Sequence, residues 1–318
     1  MFLQKTKSGE SGVMLYGITP PKAGTDPQRV AEIAARTVNR LASLDIDALV
    51  VYDVQDESAR TPVERPFPFI NALDPLTFAT AYLSDLKVPK IIYRPAGRYS
   101  PDELSEWLDT MHANRFFPVF VGVPVPDFPV KTSLPEAYRI WEKHQEASVL
   151  GAVTIPERHN VLHDEHIRIL DKMSYGVSFF VSQCIFNVDF ARQIIEDVGI
   201  TCKKQKIAPP TIIFTITACG SEKTLQFMEW LGIHVPDGVK KELRQAEDML
   251  AKSVSICLEI ASQLTEFCIN QSVPFGFNVE SVAIRKSEIE ASIEMTHSIG
   301  QMLRNKGLRN VRLSAELT

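Results

Sequence analysis

Polar and ionisable side chains gather where short apolar runs of this 318-residue chain end. Asp53, Gln55, Asp56 and Glu57 close or follow the run DALVVYD, and Tyr93 and Arg94 close or follow PKIIY. Glu157, Arg158 and His159 follow VLGAVTI; Gln183 lies within VSFFVSQCIF, and Asn278 and Glu280 within FGFNVE. If these runs are parallel strands, groups at their ends converge on one cavity, where they can hold a ligand and move protons. Glu157 and His159 offer a carboxylate and an imidazole two residues apart, suited to acid–base work, to metal binding or to a structural hydrogen bond. Gln183 is an amide among apolar neighbours, and burying it without partners would cost roughly 1–3 kcal/mol. It therefore meets either a ligand, such as a pterin-like ring, or other polar groups of the fold.

Arg94, beside Tyr93 and near Arg98, is the best-placed cation for an anionic ligand, a surface role being the alternative. Asp53, Asp56 and Glu57 can hold Mg²⁺, position a substrate amine or simply form a solvated acidic loop. His163 and His166 have a helical i,i+3 spacing, but Asp164 and Glu165 between them favour a solvated helix start, and no metal site is expected. No G-x-S-x-G elbow, phosphate-binding G-x-x-x-x-G-K-[ST] loop or G-x-G-x-x-G fingerprint occurs. Pro20 and Pro21, just after the first apolar run, lack the amides a phosphate would need.

The elements that would position these groups alternate along the chain. Strands are expected at 13–18, 47–53, 89–93, 116–122, 149–155, 177–186, 211–216 and 275–280. Helices are expected at 27–43, 74–84, 101–112, 135–147, 163–173, 188–198, 221–231, 240–269 and 287–303. Asp26-Pro27, Asp74-Pro75 and Ser100-Pro101 supply caps followed by proline in the first turn. Eight strand–helix units close into an α/β (βα)₈ TIM barrel, because the eighth strand can pair with the first and leave no open edge. One barrel domain over 1–318 is expected, with 1–12 a flexible lead and 304–318 a C-terminal extension. The proline-rich stretches 62–68 and 124–135 either stiffen loops at the barrel rim or simply end strands.

Composition narrows the partners. Against 39 acidic residues stand 34 Lys and Arg, a net charge of −5 with no long basic block, so nucleic acid is not expected. No apolar run approaches a membrane span, and the N-terminus lacks the apolar stretch of a secretory signal, so a cytoplasmic protein without a membrane partner is expected. The five cysteines include no C-x-x-C pair and read as reduced thiols.

From about Leu15 to Gly300 the chain resembles the methylenetetrahydrofolate reductase family. The resemblance rests on the ordered segments LYGITPP (15–21), TIPERH (154–159), SQCIFNVD (182–189), IIFTITACGSEK (212–223) and FGFNVES (275–281). It implies a barrel carrying FAD at the strand C-terminal face, reduced by NAD(P)H and passing hydride to a tetrahydrofolate species in one-carbon metabolism. It also implies that Gln183 contacts the pterin and that Pro156-Glu157-Arg158-His159 is the fifth-strand motif. Gly17 stands where the family has a proton-donating glutamate, Val121-Gly122-Val123 where it has Arg-Gly-Asp, and Tyr93 at or near the place of a histidine.

On this resemblance the expected catalytic groups are Glu157, His159 and Glu280, with Glu280 or Glu157 replacing the missing glutamate. Gln183, Arg94, Arg285 and Asp53 would bind the folate substrate, Arg94 or Arg285 meeting its glutamate tail. Tyr93, Gly122 and His159 would line the cofactor. The alternatives are a flavin-independent, folate-dependent one-carbon transferase and a non-catalytic folate-binding or complex-forming subunit. Homo-oligomer formation is compatible with either.

Overall fold

A computed structural model describes residues 2–123, 128–144, 148–283 and 285–310. The strands are β1 (Val13–Ile18), β2 (Ala48–Val51), β3 (Lys90–Pro95), β4 (Phe117–Val121), β5 (Leu150–Thr154), β6 (Val177–Cys184), β7 (Thr211–Thr217) and β8 (Phe275–Glu280). Each pairs in parallel with its neighbour, and β8 pairs with β1, so the expected TIM barrel forms. The helices are α1 (Phe2–Ser8), α2 (Pro27–Leu41), α3 (Pro75–Tyr82), α4 (Pro101–Ala113), α5 (Leu134–Glu142) and α6 (Pro156–Leu162). They continue with α7 (Glu165–Ser174), α8 (Val188–Gln205), α9 (Glu222–Trp230), α10 (Asp237–Gln245), α11 (Met249–Gln271) and α12 (Lys286–Asn305).

The strands read as unbroken apolar runs because both of their faces are buried. Val13, Leu15, Val50, Ile91, Val119, Phe179, Val181 and Ile213 fill the barrel, while the alternate residues pack under the helices. Helix starts follow local chemistry: Asp26 accepts from the Gln28 amide, Asp74 from that of Thr77, and Ser100 and Glu103 form a reciprocal capping box.

Residues 1–12, expected to be flexible, hold α1, whose fully buried Phe2 joins the interior cluster and meets the rings of Phe117 and Phe179. A short apolar group before charges gave no hint that it stops the base of the barrel. Beneath it, fully buried Asp47 accepts from the Met14 amide (2.8 Å), Lys5 Nζ (3.1 Å) and Arg309 Nη1 (2.5 Å). Arg309 thereby ties the chain after α12 back to the base, and 311–318 lie outside the described residues.

The single helix expected at 240–269 is two. The chain turns extended at Ala246, and Asp248 then caps α11 by accepting from the Ala251 amide (3.0 Å), so the acidic residues inside the apolar period mark a new start. The helix expected at 135–147 ends at Glu142, and its last residues, 145–147, lie outside the described residues, as do 124–127 of the second proline-rich stretch. Among the described residues no helix is long and apolar enough to cross a membrane.

Candidate functional site

At the C-terminal end of the strands, six polar side chains form the floor of the barrel mouth. Asn278 Nδ2 donates to the Tyr52 hydroxyl (2.7 Å) and to Thr215 Oγ1 (3.3 Å). The Cys184 thiol donates to Glu280 Oε1 (3.4 Å), and the Tyr52 and Tyr93 rings meet edge to face with centroids 4.9 Å apart. Glu280 Oε2 is sealed from solvent and has no hydrogen-bond partner.

Burial raises the pKa of the Glu280 carboxyl, against the opposing influence of the neighbouring Tyr52, Cys184 and Asn278 side chains. Burial also lifts Tyr52, Tyr93 and Cys184 well above their ordinary values, and the Glu280 charge adds to each shift. A desolvated set of this kind holds its protons, so the floor favours neutral over charged forms.

Cys184 reaches Glu280 because the pairing between β6 and β7 slips. Val181 sits opposite Ile213 but Cys184 opposite Thr215, three steps on β6 against two on β7. Such a bulge re-aims the side chains that follow it. Simple alternation would point Gln183 inward with Val181; instead Gln183 lies half-buried at the rim, its Oε1 accepting from the Cys184 amide (3.2 Å) and its Nε2 reaching the Leu231 carbonyl (3.5 Å).

Leu231 belongs to a roof. α9, α10 and the turn between them are an excursion between β7 and α11. Trp230 Nε1 donates to the Val63 carbonyl (2.9 Å) in the loop after β2, and Phe67 packs on Phe227 with centroids 5.3 Å apart. The guanidinium of Arg65 stacks on Phe69, Phe227 and Trp230. On the far side the His234 amide donates to Glu157 Oε1 (3.2 Å), and Asn187 pairs with the His234 ring. Under this roof Tyr52, Val121, Val153, Glu157, Gln183 and Glu280 remain half-buried rather than fully packed.

The sequence-derived candidates separate into four places. Glu280 and Tyr93 share the floor of the mouth and Gln183 lies at its rim; Glu157 serves as the roof's support, its pKa raised by burial. His159 faces the other way, because residues two apart on a helix lie on opposite sides. Its Nε2 pairs with Asp197 Oδ2 (3.0 Å) on α8, and its ring contacts those of His163 and His166. Arg94 is committed to the wall: Nη1 donates to Asp74 Oδ2 (2.9 Å) and the Tyr99 hydroxyl (2.9 Å), with its charge over the rings of Tyr99 and Trp107. Arg285 is exposed at the start of α12. The sequence reading missed Tyr52, Cys184 and the roof; Tyr52 carried a signal, as the polar-tipped residue two places beyond Val50 on one strand face.

Asp53 lies beside this wall, 3.9 Å from Arg94 Nη1 and accepting from Gln55 Nε2 (2.7 Å). Burial pushes its pKa from 3.8 up to about 6, Arg94 opposing and Asp74 adding to the rise. A raised folded-state pKa means that ionisation penalises the fold: the penalty is absent below about pH 4, grows between 4 and 6, and is complete above. Relative to the parent, Asp53→Asn should therefore gain stability as pH rises from 4 to 8, by about 3 kcal/mol in urea unfolding. A stability difference that stays flat with pH would contradict this placement of the carboxyl.

Gly17 marks where the resemblance expects a glutamate. A Cβ there would lie 2.8 Å from Tyr52 Cε2, 3.0 Å from its hydroxyl and 3.1 Å from Glu280 Oε2. The volume of the missing side chain is thus already taken by Tyr52 and Glu280. Gly17→Ala should destabilise by roughly 1–3 kcal/mol through overpacking, measured by thermal unfolding, and Gly17→Glu by more. A variant as stable as the parent would show that this space is free.

The flavin expectation meets a poor fit at the β3–β4 rim. Val121 packs onto the barrel interior, Val123 Cγ1 presses on the Cβ position of Gly97, and Val130 comes within 3.6 Å of the same point. Exposed Gly122 has only Leu134 nearby, at 3.8 Å from its Cβ position. Apolar side chains close the place where the resemblance calls for a charged pair.

No protein-family model and no curated protein matches the chain. Among solved structures it is similar to an uncharacterized protein from Clostridium thermocellum that binds two copies of 5-methyl-5,6,7,8-tetrahydrofolic acid. The two share 41% identity at a TM-score of 0.84, over 95% of this chain and 100% of that one. A 2,3-dimethylmalate lyase is 12% identical over 100% of this chain and 90% of its own, at a TM-score of 0.46. A dihydropteroate synthase from Xanthomonas albilineans is 11% identical over 93% and 94%, also at 0.46. Neither of these remote likenesses bears on chemistry.

Proposed function

Since the chain belongs to one family with the Clostridium thermocellum protein, we propose that it binds a reduced folate of the 5-methyltetrahydrofolate class in the barrel mouth. The observation that carries this reading is the 41% identity running over 95% of the chain to a protein that binds that compound. The mouth is chemically suited to it. A pterin is a flat, neutral ring edged with hydrogen-bonding atoms, and the floor offers Tyr93 for ring contact, Asn278 and Glu280 for its edge, and Gln183 at the rim. Gln183 and Glu157 now hold the roof through Leu231 and His234, so entry of the ring exchanges those hydrogen bonds for bonds to the ligand.

The flavin-independent reading is favoured over the reductase reading by the closed β3–β4 rim, where Val121 and Val123 replace the charged pair. In that reading a soft nucleophile on the acceptor, such as a thiolate, attacks the N5-methyl carbon. The N5–carbon bond breaks, its electron pair stays on N5, and the Glu280 carboxyl supplies the proton that makes the departing amine neutral. Tetrahydrofolate and the methylated acceptor are the products.

Isothermal titration of the purified chain with 5-methyltetrahydrofolate tests the binding step. The expected result is saturable binding with a change in Trp230 emission as the roof shifts, the stoichiometry reporting whether a second copy is taken. Absence of binding at millimolar ligand would overturn the reading.

A further inference from the structure

On the outer wall of the barrel, away from the mouth, three side chains from three helices point at one spot. His159 comes from α6, His166 from α7 and Asp197 from α8, and one ligand-capable atom of each lies within 4.8 Å of the other two. His159 Nε2 is 3.0 Å and His166 Nδ1 3.9 Å from the same oxygen, Asp197 Oδ2. The first distance is a hydrogen bond. The second is too long for one; ligand atoms each about 2.0–2.2 Å from a tetrahedral centre stand roughly 3.3–3.6 Å apart, between these two distances.

A further observation points to a ligand. The His159 side chain is 1% exposed, with its Nε2 turned to Asp197. His166 Nδ1 is likewise sealed and makes no hydrogen bond, although it is turned towards the carboxylate. An ordinary His–Asp pair would need one imidazole, and here a second one is brought to the same oxygen. Asp197 is 43% exposed, so the spot is open to solvent on one side and can admit an ion and a water ligand.

We propose that His159, His166 and Asp197 form a divalent transition-metal site, best matched to Zn²⁺ with water as fourth ligand. Two imidazoles and one carboxylate suit borderline metals such as Zn²⁺ and Co²⁺, whereas Mg²⁺ and Ca²⁺ prefer all-oxygen sets. The bound ion would fasten α6 and α7 to α8. Because α6 begins with Pro156-Glu157 at the mouth, it would also steady the support of the roof.

The test is a titration of the metal-free full chain with ZnCl₂ by calorimetry and with CoCl₂ by visible absorption. Asp197→Asn and His166→Ala serve as variants, since both positions are partly exposed and their metal-free melting temperatures can be matched to the parent. One ion per chain with the intense visible bands of four-coordinate Co²⁺, weakened at least about 10-fold in both variants, is the expected result. No binding by the parent, or binding unchanged in both variants and so located elsewhere, for example at the buried cysteines, would overturn the proposal.

Discussion

On the proposed function, replacing Glu280 with glutamine should leave the barrel folded and able to bind 5-methyltetrahydrofolate, while slowing methyl transfer by about 10²- to 10⁴-fold. Glutamine keeps the shape of the side chain and an oxygen to accept the Cys184 thiol, but it has no acidic proton to give. The carboxyl is suited to the task by its surroundings: burial raises its pKa, and sealed Oε2 makes no hydrogen bond of its own. The check is single-turnover loss of the methyl group with a thiol acceptor, followed across pH. The parent should lose activity as the carboxyl ionises on raising the pH, and that limb should vanish in the variant. Equal rates for parent and variant would remove Glu280 from the chemistry.

The strands and their order were readable because parallel barrel strands are apolar on both faces and are bounded by caps and prolines. Val13–Ile18 and Phe275–Glu280 fall where the sequence pattern puts them. Long-range features left no such trace. The slip in pairing between Val181 and Cys184 moves Gln183 to the rim and delivers Cys184 to Glu280, and nothing in SQCIF announces it. α9 has an ordinary helical period, so its place over the mouth, pinned by Val63 and Glu157, depends on contacts 167 and 77 residues away in sequence. Arg94 was chosen for its charge at a strand end, but strand alternation places it outward, against Asp74 and Tyr99.

Asp47→Ala should cost about 3–5 kcal/mol of stability. Asp47 is fully buried and faces two cations, Lys5 and Arg309, whose side chains are 11% and 1% exposed. Burial already lowers the pKa of Lys5, with the Asp47 charge opposing that shift. Removing the carboxylate leaves Lys5 without its anion and Arg309 with Asp45 alone, and it frees the Met14 amide. The effect should spread to α1, because Lys5 fastens that helix and its Phe2 stopper to the base. Urea unfolding gives the magnitude, and a loss below about 1 kcal/mol would show that the cluster is not the clamp described.

The central claim is that the mouth above Tyr93, Asn278 and Glu280 receives the pterin of a reduced folate. A crystal structure of the chain with 5-methyltetrahydrofolate tests it most directly. The expected result is a pterin ring lying between Gln183 and Glu280, with Leu231 and His234 released from Gln183 and Glu157. Ligand bound only on the outer wall, with the roof still seated on an empty mouth, would contradict it.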